Sequence, residues 1–294
     1  MENTNTIKHD EIIRFLFDNH GVRGEIINLK KSCEDLIHKD YPKAIKSIMM
    51  ELGAAALMFA ATLKDGSEVM LQIQGDKNAP LKYALVNVRE DMTFYGSAKL
   101  NEGFNELDDS LNFKELVGEK GILALSVFPV EGQKWQGIVA LEGNSVADAL
   151  EGYFKNSQQL PSRFIIFSDA DKLACQGLML QIIPNIDGNN DSLEHLVILS
   201  GTLSKEESLG LSNEEILNRL FAYEQVRVFP AKKISFRCIC SSERCLKALA
   251  SLKREALKEI ADDPNGTEMT CQHCGKTYHF SHEELQSLLC KVSQ

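Results

Sequence analysis

Four cysteines near the end of the chain have the type and spacing for metal or redox chemistry. Cys238 and Cys240 form a C-x-C pair, and Cys271 and Cys274 form a C-x-x-C pair further along. Two close pairs of thiols suit a tetrahedral zinc ion. Gly275, directly after the second pair, suits the turn that aims two sulfurs at one ion. The C-x-C half is the less usual one, and the gap between the pairs exceeds the common zinc-ribbon spacing. Four unrelated buried thiols are the bland alternative, and the pairing argues against it. A closed four-sulfur zinc site is normally structural, yet the same thiols can form a redox switch; the residue types leave both open. A bond between cysteines two apart closes a small, strained and therefore reducible ring. Arg237, Arg244 and Lys276 flank the sulfurs and can offset their negative charge, although each alone reads equally well as solvated surface. His273, inside the second pair, is a further ligand type, but four cysteines already saturate zinc.

Composition limits what surrounds this cluster. The chain has 294 residues, 44 % hydrophobic and 25 % charged, which allows a large core and a smaller second domain. Net charge is −10, and the acidic excess lies ahead of Lys232. That balance opposes non-specific nucleic-acid binding, and no basic stripe interrupts it. Eight cysteines without a signal-peptide pattern point to a reducing, cytoplasmic setting and to metal rather than a disulfide scaffold. The longest apolar run, Leu52 to Leu63, reads as too short and too Ala-rich to span a bilayer. No G-x-x-x-x-G-K-[ST] phosphate loop occurs. No Ser-His-Asp or H-E-x-x-H arrangement stands out, and the C-x-x-C lacks a thioredoxin-like βαβ context, so no enzyme is expected.

The elements that must position the cluster follow from periodicity. Residues 9–19, with Ile12, Ile13, Leu16 and Phe17, read as a helical stripe. A second helix runs from Lys43 to Leu63 after Tyr41-Pro42. Lys64-Asp65-Gly66 turns the chain into a strand holding Val69, Leu71 and Ile73. Further strands are predicted at 81–88, 92–99, 121–129 and 134–142. Ser145 N-caps a helix from Val146 to Phe154. Strands at 163–168 and 178–183 follow. This predicts a strand-rich α+β domain over residues 1–183. Asn185 to Asp191 is a polar boundary. Residues 193–227 read as two short amphipathic helices, the second opened by a Ser212/Glu215 capping box. Helices this short are marginal alone and must pack on something. Leu217, Leu220 and Phe221 would form the packing face, so 184–233 is expected to be a docked helical linker. From residue 234 onward a small unit carries the cysteines. Leu246, Leu249, Leu252 and Leu257 read as one helix, Asp263 to Gly266 as a turn, Tyr278 to Phe280 as a strand. A last helix is capped by Ser281 and Glu284. So small a unit buries little core, so metal should supply much of its folding free energy.

The sequence resembles the 33 kDa redox-regulated heat-shock chaperones over nearly its whole length. The resemblance is carried by Val22-Arg23-Gly24-Glu25, Asp40-Tyr41-Pro42, Leu71 to Asp76, Gln136 to Gly143, Tyr153-Phe154, Gln159-Leu160-Pro161 and Gly177 to Pro184. Its strongest part is Phe236-Arg237-Cys238-Ile239-Cys240-Ser241-Ser242-Glu243-Arg244 with Cys271-Gln272-His273-Cys274. Lys77-Asn78 stand where the family commonly has Gly-Pro. Cys33, Cys175 and Cys290 have no role in the pattern. The resemblance implies a holdase that is inactive when reduced and zinc-bound. Oxidation would convert the four thiolates to two disulfides, release zinc, unfold the C-terminal unit and loosen the linker. Near neighbours close with little ordering of chain, so Cys238–Cys240 and Cys271–Cys274 bonds are expected. The implied partners are unfolded or partly unfolded proteins, and a homodimer on activation is admitted. No nucleic acid and no membrane are expected. The contrasting class is a zinc-ribbon interaction or nucleic-acid module, which the acidic charge disfavours.

Overall fold

The structure is a computed structural model, describing residues 7–63, 66–104, 107–109, 111–184 and 189–292. The turn residues Lys64 and Asp65 and the boundary residues 185–188 lie outside this set. The chain divides into two compact units, 1–237 and 238–294.

The first unit opens with β1 (Glu11–Phe17) and β2 (Val22–Leu29). The helix expected over 9–19 is therefore a strand. Its misleading pattern has a physical cause: Ile13, Phe15 and Phe17 face one apolar cluster while Ile12 faces another. A strand buried on both faces loses the simple apolar–polar alternation. α1 (Lys31–Leu36) and α2 (Lys43–Thr62) follow. The strands β3 (Glu68–Gln74), β4 (Leu81–Val88) and β5 (Thr93–Leu100) form an antiparallel meander. After α3 (Phe113–Val117) come β6 (Ile122–Phe128) and β7 (Trp135–Ala140). α4 (Val146–Ser157) starts where Ser145 Oγ accepts the Asp148 amide at 3.0 Å. β8 (Ser162–Asp169) and β9 (Ala174–Ile182) complete the central strands.

Residues 189–237 then return over what is already built. Three helices form where two were expected: α5 (Asn189–Ser200), α6 (Lys205–Gly210) and α7 (Asn213–Leu220). Capping boxes at Ser204/Glu207 and Ser212/Glu215 start the last two, which is why so short a segment breaks into separate helices. Three short strands follow: β10 (Val226–Val228), β11 (Lys232–Lys233) and β12 (Ser235–Phe236). One sheet runs β10-β1-β2-β9-β8, with β11 also on β1; the other runs β12-β5-β4-β3-β6-β7.

α2 lies against both sheets and is the centre of the larger core. By length and composition this helix is apolar enough to cross a membrane, with mean hydropathy 1.5. The run from Leu52 alone understates it, because the helix begins at Lys43. Its side chains are instead spent on the core, where Ile45, Met49, Leu52, Leu57 and Met58 are fully buried. The other face of the first sheet carries a second cluster, closed by Leu193 and Leu196 of α5 and by Ile216, Leu217 and Leu220 of α7.

The second unit contains α8 (Ser242–Ala250), α9 (Arg254–Ala261), a hairpin of β13 (Thr267–Thr270) and β14 (Thr277–Phe280), and α10 (His282–Val292). The single leucine-lined helix expected here is two helices. α8 stops at Ala250 and Leu252 is exposed between them, while Leu257 packs from α9. Among its described residues the buried apolar set is small: Leu249, Leu257, Ala261, Phe280 and Leu285.

Candidate metal centre

Each half of the cluster is built by local backbone. Cys238 and Cys240 lie in the irregular segment before α8, whose N-cap Ser241 accepts the Arg244 amide at 3.2 Å. Cys271 and Cys274 occupy the turn between β13 and β14. The Cys271 amide donates to the Lys276 carbonyl at 2.9 Å, and the Gly275 amide to the Cys271 carbonyl at 3.0 Å. Gly275 takes φ 71°, the left-handed geometry that glycine enters without steric cost. The His273 amide donates to Cys271 Sγ at 3.4 Å, so the turn also supports its sulfur.

The four Sγ atoms converge. Each lies within 4.8 Å of the other three, with Cys238–Cys271 at 3.6 Å and Cys240–Cys274 at 3.4 Å. Sulfurs around a tetrahedral zinc at the usual bond length stand about 3.8 Å apart. The donor set and spacing therefore fit a four-sulfur metal site. His273 is not part of the convergent group.

The environment makes the thiols unequal. Burial pushes the Cys238 thiol well above the ordinary range and also raises that of Cys274. Burial also works against ionising Cys240, but hydrogen bonds, first that from Tyr278, outweigh it and hold this thiol below its usual value. Tyr278 Oη donates to Cys240 Sγ at 3.1 Å, and that bond raises the phenol in turn. Cys240 is thus better disposed to carry negative charge than Cys238 or Cys274. By sequence alone Tyr278 reads only as a strand residue. The hairpin register, which sets Tyr278 opposite Met269, aims its hydroxyl, and nothing local in the sequence signals this. Of the flanking cations, Arg244 donates to the Ile239 carbonyl at 3.3 Å and Lys276 lies 4.9 Å from the Tyr278 ring centre. Arg237 belongs to the first unit, 3.6 Å from Asp91.

The remaining cysteines stand apart. Cys33 and Cys175 are buried in the larger core, and burial pushes both thiols far up. Cys245 borders the small core, its thiol raised by burial and by Cys240 and Cys271. Cys290 is exposed. All eight are unbonded.

A family model described as Hsp33 protein matches residues 10–281. The chain belongs to the Hsp33 family. A 33 kDa chaperonin of Serratia proteamaculans is 35 % identical over 283 residues, 95 % of each chain. One from Yersinia pestis gives the same identity and coverage. The crystal structure of a 33 kDa chaperonin (heat shock protein 33 homolog) from Thermotoga maritima superposes with a TM-score of 0.79, covering 97 % of this chain and all of that one at 23 % identity. The mixed α/β architecture with a C-terminal cysteine unit is therefore the family fold.

The residues expected to dock the linker are also placed. Leu217, Leu220 and Phe221 are buried in the cluster on the outer face of the first sheet. Phe221 caps α7 and meets Phe17 edge-on at 4.8 Å between ring centres, with Phe15 at 6.1 Å. Phe15 in turn covers Gly24 so closely that a Cβ there has no room. This explains a glycine inside the strand motif Val22-Arg23-Gly24-Glu25.

Proposed function

We propose that this chain is a redox-regulated, ATP-independent holdase that binds unfolding proteins and is silent while reduced. Its resting form would hold one zinc ion on Cys238, Cys240, Cys271 and Cys274. The ion, when bound, supplies a cross-link to a unit that has, among its described residues, only five buried apolar side chains. The observation that carries this reading is that convergence of four thiols in so small a unit.

Oxidation would act on the sulfurs. Each disulfide takes two thiolates, one peroxide and two protons from solvent: the S–S bond forms, the O–O bond breaks, and the oxygens leave as two waters. Disulfide sulfur no longer serves as a thiolate ligand, so the unit loses its support. In the folded arrangement the touching sulfurs belong to different pairs. The assignment of Cys238–Cys240 and Cys271–Cys274 bonds rests on the short chain between near neighbours, which closes readily once the unit loosens. Residues 184–233 would then leave the first sheet, exposing apolar surface on both sides of that contact to clients, with self-association into a homodimer as a second outcome of activation.

Peroxide with mild heat tests the reading. Zinc should appear in solution, aggregation of a heat-labile client should fall, and the protein with all four cysteines changed to serine should not respond to peroxide. Activation without loss of these thiols would overturn it. Peptide mapping that found mainly cross-pair bonds would overturn the pairing.

A further inference from the structure

The contact between residues 189–225 and the first sheet is not only apolar. At its edge, Glu224 lies between two histidines from distant parts of the chain. His20 Nε2 is 2.7 Å from Glu224 Oε2, and His195 Nε2 is 2.8 Å from Oε1. His20 sits on the β1–β2 turn, His195 on α5, and Glu224 just beyond α7. The imidazole centres are 5.9 Å apart. The Glu224 amide donates to the Phe221 carbonyl at 3.0 Å, and Phe17, under Phe221, meets the His20 ring edge-on at 6.1 Å. The three polar side chains thus continue the aromatic contact.

We propose that His20, Glu224 and His195 form a polar clasp that holds α5 and the end of α7 together on the core and sets how readily the linker is released. The proposal rests on the reading of 184–233 as a releasable linker. Its logic is geometric. A carboxylate only accepts hydrogen bonds, and its two oxygens here receive one N–H from each partner. The β1–β2 turn and the stretch at Glu224 are already joined by backbone, the Asp18 amide donating to the Gln225 carbonyl at 3.2 Å, so the tie this side chain adds is to α5 through His195. Apolar burial is tolerant of small slides, whereas two opposed hydrogen bonds on one carboxylate fix position. The neighbouring charges are already engaged: Asp18 on the same turn with Arg227 at 2.7 Å, and Arg219 of α7 with Glu207 at 2.8 Å. Glu194, beside His195, lines the cleft toward α4. The two histidines hold the Glu224 carboxyl below its ordinary range, so the clasp is intact above the usual carboxylate value and is lost as pH falls through the lowered one.

Hydrogen exchange on the reduced, zinc-loaded full chain tests this. Glu224→Ala should speed exchange of amides across 189–225 by about tenfold or more, the effect of losing two charge-assisted bonds. Glu224→Gln, which keeps the shape and neutral hydrogen bonding, should recover part of the protection. Tyr223→Ala, at a fully exposed neighbour, should leave exchange unchanged. Wild-type exchange in Glu224→Ala, or equal acceleration in Tyr223→Ala, would overturn the clasp. Aggregation suppression under reducing conditions is read separately. Faster exchange without any gain of activity supports the clasp and overturns the idea that linker docking silences the protein.

Discussion

The two units use the same residue type in opposite ways. In residues 1–237, Cys33 and Cys175 are fully buried among apolar side chains, with thiols pushed far up. They behave as small hydrophobes, unavailable to oxidants. In residues 238–294, four partly exposed cysteines face one another, receive N–H and O–H donors, and include one thiol held below its ordinary range. The first unit is held by a continuous core around α2, and the second has, among its described residues, five buried apolar ones. A fold held by packing is indifferent to redox state; a fold held by ligand sulfur is conditional on it. The contrast marks the second unit as the place where the proposed switch would act.

The sharpest way to break that contrast is to withdraw metal. A chelator should unfold residues 238–292 and leave the first unit native, because a structural zinc site contributes about 10–16 kcal/mol in small peptides. Hydrogen exchange read by segment checks this; retained protection in α8–α10 would mean the small core suffices. Cys33→Ala and Cys175→Ala should keep full zinc content, whereas Cys271→Ser should not.

The next effect lies within the first unit, at its linker contact. Phe221→Ala removes a buried ring packed on Phe17 and should weaken docking by about 3–5 kcal/mol. Partial aggregation suppression by the reduced, zinc-loaded variant is the expected outcome. An inactive variant with wild-type exchange over residues 193–227 would show that this ring does not latch the segment.

The core unit should respond to pH where it ignores redox. Glu25 in β2 is buried, its Oε2 has no hydrogen-bond partner among the described residues, and burial raises its carboxyl to about 8 against the pull of Arg23 and Arg14. Below the unfolded value of 4.5 both states carry the proton and nothing is lost. Between 4.5 and about 8 the folded state keeps a proton that the unfolded state releases, so stability falls as pH rises. Glu25→Gln should remove that slope, gaining about 3 kcal/mol on wild type between pH 5 and pH 7.5. Denaturant melts of the first unit at the two pH values measure it; parallel changes in both proteins would sink the assignment.

The smallest expected effect refines the cysteine unit. Tyr278→Phe deletes the hydroxyl that donates to Cys240 and should weaken zinc binding about 10–100-fold without unfolding the loaded unit. Competition with a chromogenic chelator reads this directly, and unchanged affinity would reduce Tyr278 to a packing role.

What the sequence determined by itself is what is encoded within a few residues. The cysteine spacing, the Gly275 turn, the caps at Ser145, Ser212 and Ser281, the alternation in β3 and the turn residues that bound β4 to β7 all act over one turn or one strand. Their hydrogen bonds close locally, so residue order suffices to read them. Tertiary structure decided the rest. Residues 11–17 became a strand because a layer lies on each side of their sheet, and a pattern buried on two faces carries no period of its own. Likewise, Tyr278 reaches Cys240 only through a hairpin register, and Glu224 meets His20 and His195 only once the chain has crossed the sheet and returned. Contacts between distant segments are selected by packing geometry, which no local spacing records.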